Sequence, residues 1–158
     1  MSCQADFLTL YPIFTRISAG PRIQGTLYGF DIEPELIAEC NKRARQANVQ
    51  NAKLSLRDFL AEGSGLDKGS VDYVMLFNIL HVEHPLRLLS EARRILSPDG
   101  LVAVIHWNYD PSTPRGPSMA IRPRPLDCLT WIKNAGFEVM GGIVNLPPYH
   151  YGIIGHLG

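Results

Sequence analysis

The chain has 158 residues, of which 46% are apolar, 9% aromatic and 19% charged, enough to bury a core and too apolar for wholesale disorder. Fifteen Lys and Arg balance fifteen Asp and Glu, which argues against a dedicated nucleic-acid or anionic-membrane binder. No run approaches the ~20 apolar residues of a membrane helix, no secretory signal leads the chain, and Cys3, Cys40 and Cys128 are too scattered for a disulfide framework. The expectation is one cytoplasmic domain, residues 1–158, acting on a small molecule rather than on nucleic acid or a membrane.

Thr26 to Ile32 is a β-branched and aromatic run that carries Asp31 near its end, as a buried strand would. Glu33-Pro34-Glu35 opens a helix, since proline suits its first position and the glutamates its positive end. Leu36, Ile37, Cys40, Ala44 and Ala47 then recur at helical spacing, and Asn48 to Asn51 stops the run. Lys53 to Leu56 is a second short strand, closing on Arg57-Asp58-Phe59.

Val71 to Phe77 is nearly continuous in apolar character, as a strand covered on both faces should be. After a turn over Asn78 to His84, Pro85 to Leu96 reads as a helix with a stripe of Leu86, Leu89, Ala92 and Leu96. Ser97-Pro98-Asp99-Gly100 ends it, and Leu101 to Trp107 is a fourth buried strand. Asp110 to Pro125 is a proline-rich loop, Leu126 to Ala135 a helix stopped by Gly136. Phe137 to Asn145 and Tyr149 to His156 form a final strand pair around Leu146-Pro147-Pro148, antiparallel because no crossover separates them. Such alternation predicts an α/β fold with a mostly parallel sheet and an antiparallel C-terminal hairpin.

Ligands of such sheets bind beyond the carboxyl ends of the strands. Asp31, with Ile32 beside it, can accept both hydroxyl protons of a ribose; the same position also suits an acid that bonds the backbone of a starting helix. Asp58 can accept from the exocyclic amine of a purine with Phe59 against the base, or serve as a plain turn aspartate. Asn78 could meet an ammonium. His81, His106 and His150 are the candidate bases, and no spacing suggests a metal. Arg115, Arg122 and Arg124 lie in a loop without an acid between Asp110 and Asp127, which suits an anionic substrate, a lid, or a solvated connection. Tyr149 and Tyr151 flank His150, either lining a pocket or packing the sheet.

Taken together, Tyr28 to Glu35, Asn51 to Asp58, Val71 to Val74 with Asn78 to His81, Glu91 to Leu101 and Ala135-Gly136-Phe137 resemble a class I S-adenosylmethionine-dependent methyltransferase of the group containing ubiquinone and menaquinone biosynthesis methyltransferases. The resemblance implies a Rossmann-like methyltransferase fold, S-adenosylmethionine as cofactor, and methyl transfer to a small-molecule acceptor. It implies that Asp31 holds the cofactor ribose and Asp58 contacts adenine. The front departs from it. The family opens with a strand and a glycine-rich loop, whereas Ser2 to Asp6 has no glycine and residues 1–25 read as an atypical, truncated start. Phe7 to Ser18 then reads as the first helix, shortened or kinked at Pro12, with Gly20-Pro21 as its exit; alternatively Phe7 to Phe14 is the first strand.

Two further classes stay open at this stage. A catalytically inactive copy would act by association, since a missing strand exposes sheet edges that invite a second chain, as in a homodimer. A nicotinamide enzyme could use Asp31 equally well, but lacks any G-x-G-x-x-G before it.

Overall fold

Strand and helix alternate as the hydrophobic pattern requires in the computed structural model, which describes residues 25–157. Ser2–Asp6, Phe7–Ser18 and Gly20-Pro21, on which the reading of the front rests, lie outside the described residues. The described chain forms two compact units, 25–65 and 66–157.

In the first unit, strands β1 (Leu27–Asp31) and β2 (Ala52–Leu56) pair in parallel, from Leu27 opposite Ala52 to Asp31 opposite Leu56. Helix α1 (Pro34–Gln46) connects them, with Pro34 in its first turn, Glu35 near its positive end and Arg43 and Arg45 near its negative end. It packs on both strands. Ala44 is buried and Leu36, Ile37 and Cys40 are half-buried, whereas Ala47, past the helix end, is exposed. Asn48 halts the helix in the left-handed region at φ 54°, which asparagine tolerates better than most residues. A one-turn helix, α2 (Phe59–Glu62), follows β2 directly. No hydrophobic period announces so short an element; its signal is the acid at its start, Asp58.

The second unit holds a four-stranded sheet of β3 (Val71–Phe77), β4 (Leu96–Trp107), β5 (Phe137–Leu146) and β6 (His150–Leu157), in the order β3-β4-β6-β5. β3 and β4 are parallel, and β6 is antiparallel to both β4 and β5. Three strands therefore run one way and β6 alone the other, the mostly parallel sheet and terminal hairpin that the pattern predicts. Helices α3 (Pro85–Ile95) and α4 (Pro125–Asn134) pack against each other and on the sheet.

Two local readings need correction. The stripe of α3 is Leu88, Leu89, Ala92 and Ile95, while Leu86 is 42% exposed. Helical spacing fits either leucine, and Leu86 stands in the first turn, at the rim of the packed region. Further on, Ser97–Gly100 is not a turn separating helix from strand; β4 starts at Leu96 opposite Val71. The next pair is Tyr73 with Leu101, so two steps along β3 match five along β4 and the intervening residues bulge. A Cβ at Gly100 would lie 2.9 Å from the Ser97 carbonyl oxygen, so the bulge closes on glycine.

The core is apolar and tight. Leu80, Leu89, Val102, Val104, Ile132 and Ile153 are wholly buried. α4 lies on the face that carries Val102, Tyr151 and Gly155, where a Cβ on Gly155 would meet Val102 and Ile132 at 3.2 Å. The Cys128 Sγ and Tyr151 Oη, both buried, sit 3.2 Å apart. Burial pushes the Cys128 thiol up to about 11, so at neutral pH it is a thiol in a core and no nucleophile.

Candidate functional site

In unit 25–65 the parallel pairing sets the carboxyl ends of β1 and β2 side by side, with Asp31 closing β1 and Asp58 two residues beyond β2. Each carboxylate has one oxygen in local use. Asp31 Oδ1 accepts from the Glu33 N–H at 2.9 Å, which fixes the entry into α1. Asp58 Oδ1 accepts from the N–H groups of Leu60 and Ala61, both at 3.1 Å, and caps α2. With one oxygen Asp31 holds the turn into α1 and Asp58 caps α2, and the second oxygen of each accepts no hydrogen bond among the described residues. Ile32 is 45% exposed next to Asp31, and the half-buried Phe59 ring leans on Phe30 with 6.5 Å between centroids. The unit offers two carboxylate oxygens, an apolar side chain and an aromatic ring at one sheet end.

In unit 66–157 the equivalent end is formed by the last residues of β3 and β4 and the first of β6. Asn78 follows β3, its N–H donating to the Ile105 carbonyl at 2.7 Å. It is 2% exposed and left-handed at φ 54°, and its side-chain Oδ1 makes no hydrogen bond. On the adjacent strands His106 stands opposite Tyr151 and Trp107 opposite His150. Cross-strand partners share a face, so β4 sends His106 to one side and Trp107 to the other. His106 stacks on Tyr151 at 6.2 Å and meets the edge of His81 at 5.7 Å. Trp107 lies 4.2 Å from His150 and 6.4 Å from Tyr149, measured between ring centroids.

The three candidate bases therefore gather at one end of this sheet, but they are not equivalent. His106 is wholly buried; burial, then the neighbouring His81, hold its pKa down to about 3. His81, half-buried, is also lowered by burial, offset in part by a hydrogen bond with the Asn78 backbone. Both rings are neutral at pH 7.

The three arginines of the loop after β4 are not equivalent. Arg122, 7% exposed, turns inward and spends its guanidinium on oxygens of its own loop. Nε donates to the Pro117 carbonyl at 3.0 Å; Nη1 donates to the carbonyls of Asn108 and Asp110, both at 3.0 Å, and to Thr113 Oγ1. Nη2 donates to the carbonyls of Pro117 at 2.8 Å and Arg115 at 3.3 Å. A guanidinium so occupied has no donor left for a substrate anion. Arg124 is exposed and stacks over Tyr109, its guanidinium carbon 4.5 Å from the ring centroid, and Arg115 is exposed. Spacing cannot tell an inward arginine from an outward one, because the choice depends on which carbonyls the folded loop leaves unpaired.

The loop rests on the site through Gly116. At φ 105°, a conformation open mainly to glycine, it lies against Trp107, and a Cβ there would come within 2.8 Å of the ring. Gly116→Ala is expected to cost about 2 kcal/mol from strain and overlap together, read as a lower urea midpoint. An unchanged midpoint would show that the loop does not press on Trp107.

Among the described residues no group of three or more His, Cys, Asp and Glu could hold a metal ion, and no helix is long and apolar enough to cross a membrane.

Comparison with known proteins places the chain. A family model described as a methyltransferase domain matches residues 13–122. No curated protein matches. Among solved structures, one of a SAM-dependent methyltransferase from Aquifex aeolicus is similar over 96% of this chain and 78% of its own, with a TM-score of 0.80 and 18% identity. The trans-methyltransferase CalH, solved with SAH, is similar over 95% of this chain and 48% of its own (TM-score 0.73, 18% identity). The geranyl diphosphate C-methyltransferase of Streptomyces coelicolor is similar over 90% and 66% (TM-score 0.71, 15% identity). At these identities the likeness is one of fold.

Proposed function

From the premise that this chain belongs to the methyltransferase-domain family, we propose that it transfers a methyl group from S-adenosylmethionine to a small-molecule acceptor. The observation that carries this reading is the pair of acids closing β1 and β2, each with one oxygen bonded to a helix start and the other unpaired among the described residues. A carboxylate oxygen without a protein partner at the end of a parallel strand is suited to the vicinal hydroxyls of a ribose. Asp31 takes that role here, with Ile32 beside the nucleoside. Asp58 takes the exocyclic amine of adenine, and the Phe59 ring lies against the base. Considered by itself, unit 66–157 offers the buried Oδ1 of Asn78, which makes no hydrogen bond, as an acceptor that suits an ammonium.

When bound, the cofactor supplies an electrophilic methyl group on a sulfonium. The chain's own residues then need only position the acceptor in line and exclude water, since such a transfer requires no protein nucleophile. Where the acceptor loses a proton, a neutral imidazole can take it. His81 and His106 are held neutral by burial, and His150 lies on the opposite side of β4. Of the three, His81 is half-buried on the turn after β3, where a hydroxyl could reach it.

Binding is tested by mass action. A ligand at 100 times its dissociation constant stabilises the folded state by about 2.7 kcal/mol, so S-adenosylhomocysteine at millimolar concentration is expected to raise the melting temperature by roughly 5–10 °C in a chain of this size. NAD at the same concentration is expected to leave it in place. No response to S-adenosylhomocysteine would overturn the reading.

A further inference from the structure

Leu86, the leucine that the sheet does not bury, opens onto a groove. Where the first turn of α3 meets α4, a cavity of about 550 Å³ is lined by Glu83, His84, Pro85, Leu86, Arg87 and Trp131. Its size falls within the roughly 300–1,000 Å³ of small-molecule sites. The residues that α3 and α4 bury, Leu88, Leu89, Ala92, Ile95, Cys128 and Ile132, take no part in it. Nor does any residue to which the methyl transfer above gives a role. Its apolar wall is Pro85, Leu86 and the half-buried Trp131. The charges decide what it can hold. Of the three arginines of α3, Arg93 donates to the Ala135 carbonyl at 3.1 Å, and Arg94 pairs with Glu91 and donates to the Leu66 carbonyl at 2.7 Å. The exposed Arg87 guanidinium makes no hydrogen bond or ion pair among the described residues. No acid stands in the first turn of α3 and no side chain caps its start, so the positive end of the helix dipole adds to Arg87. The one carboxylate of the lining, Glu83, has a side chain 90% exposed and lies 4.0 Å from His84 Nε2, where water screens its charge.

We propose that this groove is a second binding site, for a planar aromatic carboxylate, with the Trp131 indole against its ring and Arg87 paired with its carboxylate. A flat ring is matched by the indole, with Pro85 and Leu86 beside it. The guanidinium fork matches a carboxylate through two parallel hydrogen bonds. A single arginine suits a single negative charge. A phosphate monoester would bring a second one beside Glu83, and an ammonium would meet Arg87 as a like charge. The site stands on its own lining and does not depend on the methyltransferase reading.

The test uses the whole chain labelled with fluorotryptophan, whose two tryptophans give two fluorine NMR resonances, assigned by Trp131→Phe. Indoleacetate is the probe, and tryptamine, the same ring carrying an ammonium, is its counterpart. At millimolar concentration indoleacetate is expected to shift the Trp131 resonance saturably and to leave that of Trp107, 5% exposed, in place. Tryptamine is expected to bind about tenfold more weakly, and Arg87→Gln to weaken indoleacetate about tenfold, since one charge-assisted pair is lost. The Arg87→Gln melting temperature should not change, because the exposed guanidinium pairs with nothing among the described residues. A Trp131 resonance that stays in place, or that moves in proportion to concentration without saturating, would overturn the proposal. So would equal binding of tryptamine, which marks an apolar surface without charge selection, or an Arg87→Gln protein that binds indoleacetate as before. Should Arg87→Gln melt lower, the comparison of indoleacetate with tryptamine on the wild type decides alone. A saturable Trp131 shift in a protein that does not respond to S-adenosylhomocysteine upholds this site and removes the cofactor reading, so the two fail separately.

Discussion

Replacing Asp31 with alanine is expected to weaken S-adenosylhomocysteine binding on the order of 100-fold by isothermal titration. The second oxygen of this carboxylate is assigned both ribose hydroxyls, and hydrogen bonds to a charged group contribute roughly 1.5–3 kcal/mol each. A loss of about 3 kcal/mol corresponds to that factor. The other oxygen bonds the Glu33 N–H at the start of α1, so the substitution also costs stability, about 1 kcal/mol by comparison with other helix caps. The two effects separate because the second appears in the ligand-free melting temperature and the first does not. Asp58→Ala offers the contrast. Its Oδ1 caps a single turn by two hydrogen bonds, and binding should fall less, since one adenine contact is lost in place of two ribose contacts. If Asp31→Ala binds S-adenosylhomocysteine like the wild type, the acid holds the turn into α1 and nothing more.

The second large effect concerns the loop between β4 and α4. Arg122→Ala is expected to lower stability by about 3 kcal/mol, because the loop carbonyls gathered around the guanidinium would lose a buried, charge-assisted partner at once. Arg122→Lys should restore less than half of this, since a point-like ammonium cannot span acceptors on five different residues. The loop contains its own reporter. Arg122 and Arg124 precede prolines and are poor trypsin sites, which leaves the exposed Arg115–Gly116 bond as the point of attack. Cleavage there should accelerate in Arg122→Ala in step with the lost stability, because proteolysis of a loop follows its opening. An unchanged urea midpoint with unchanged cleavage would mean that the proline content, and not the arginine, holds the loop. The loop is tied at its centre through Arg122 and lies against Trp107 through Gly116.

Much of the fold was legible in the residues. Turn chemistry is local, so Pro34, Pro85 and Gly136 marked helix boundaries where the structure has them, and Gly136 sits at φ 83° as a helix stop should. The continuous apolar runs of Val71–Phe77 and Leu101–Trp107 became adjacent parallel strands. The short connection through Pro147 and Pro148 left no length for a crossover, so the last two strands had to be antiparallel. Asp31, Asp58 and Asn78 could be picked out because strand ends are where such sheets bind ligands.

What the sequence alone determined, then, is the order and kind of the elements and which polar residues end them, because these depend on neighbours a few positions apart. Only the tertiary structure decided partnership and direction. Leu86 and Leu88 satisfy the helical period equally well, and packing against the sheet buries the second. Arg122 resembles Arg115 and Arg124 until the folded loop presents it with a ring of carbonyls. His106, Tyr151 and Cys128 are distant in the chain and meet because β4 pairs with β6 beneath α4. The burial that leaves the His106 nitrogens without partners arises from that same packing. The physical reason is common to all three. Local conformation is set by backbone sterics and capping, which are short-ranged, whereas burial and hydrogen-bond partnership depend on where the rest of the chain lies.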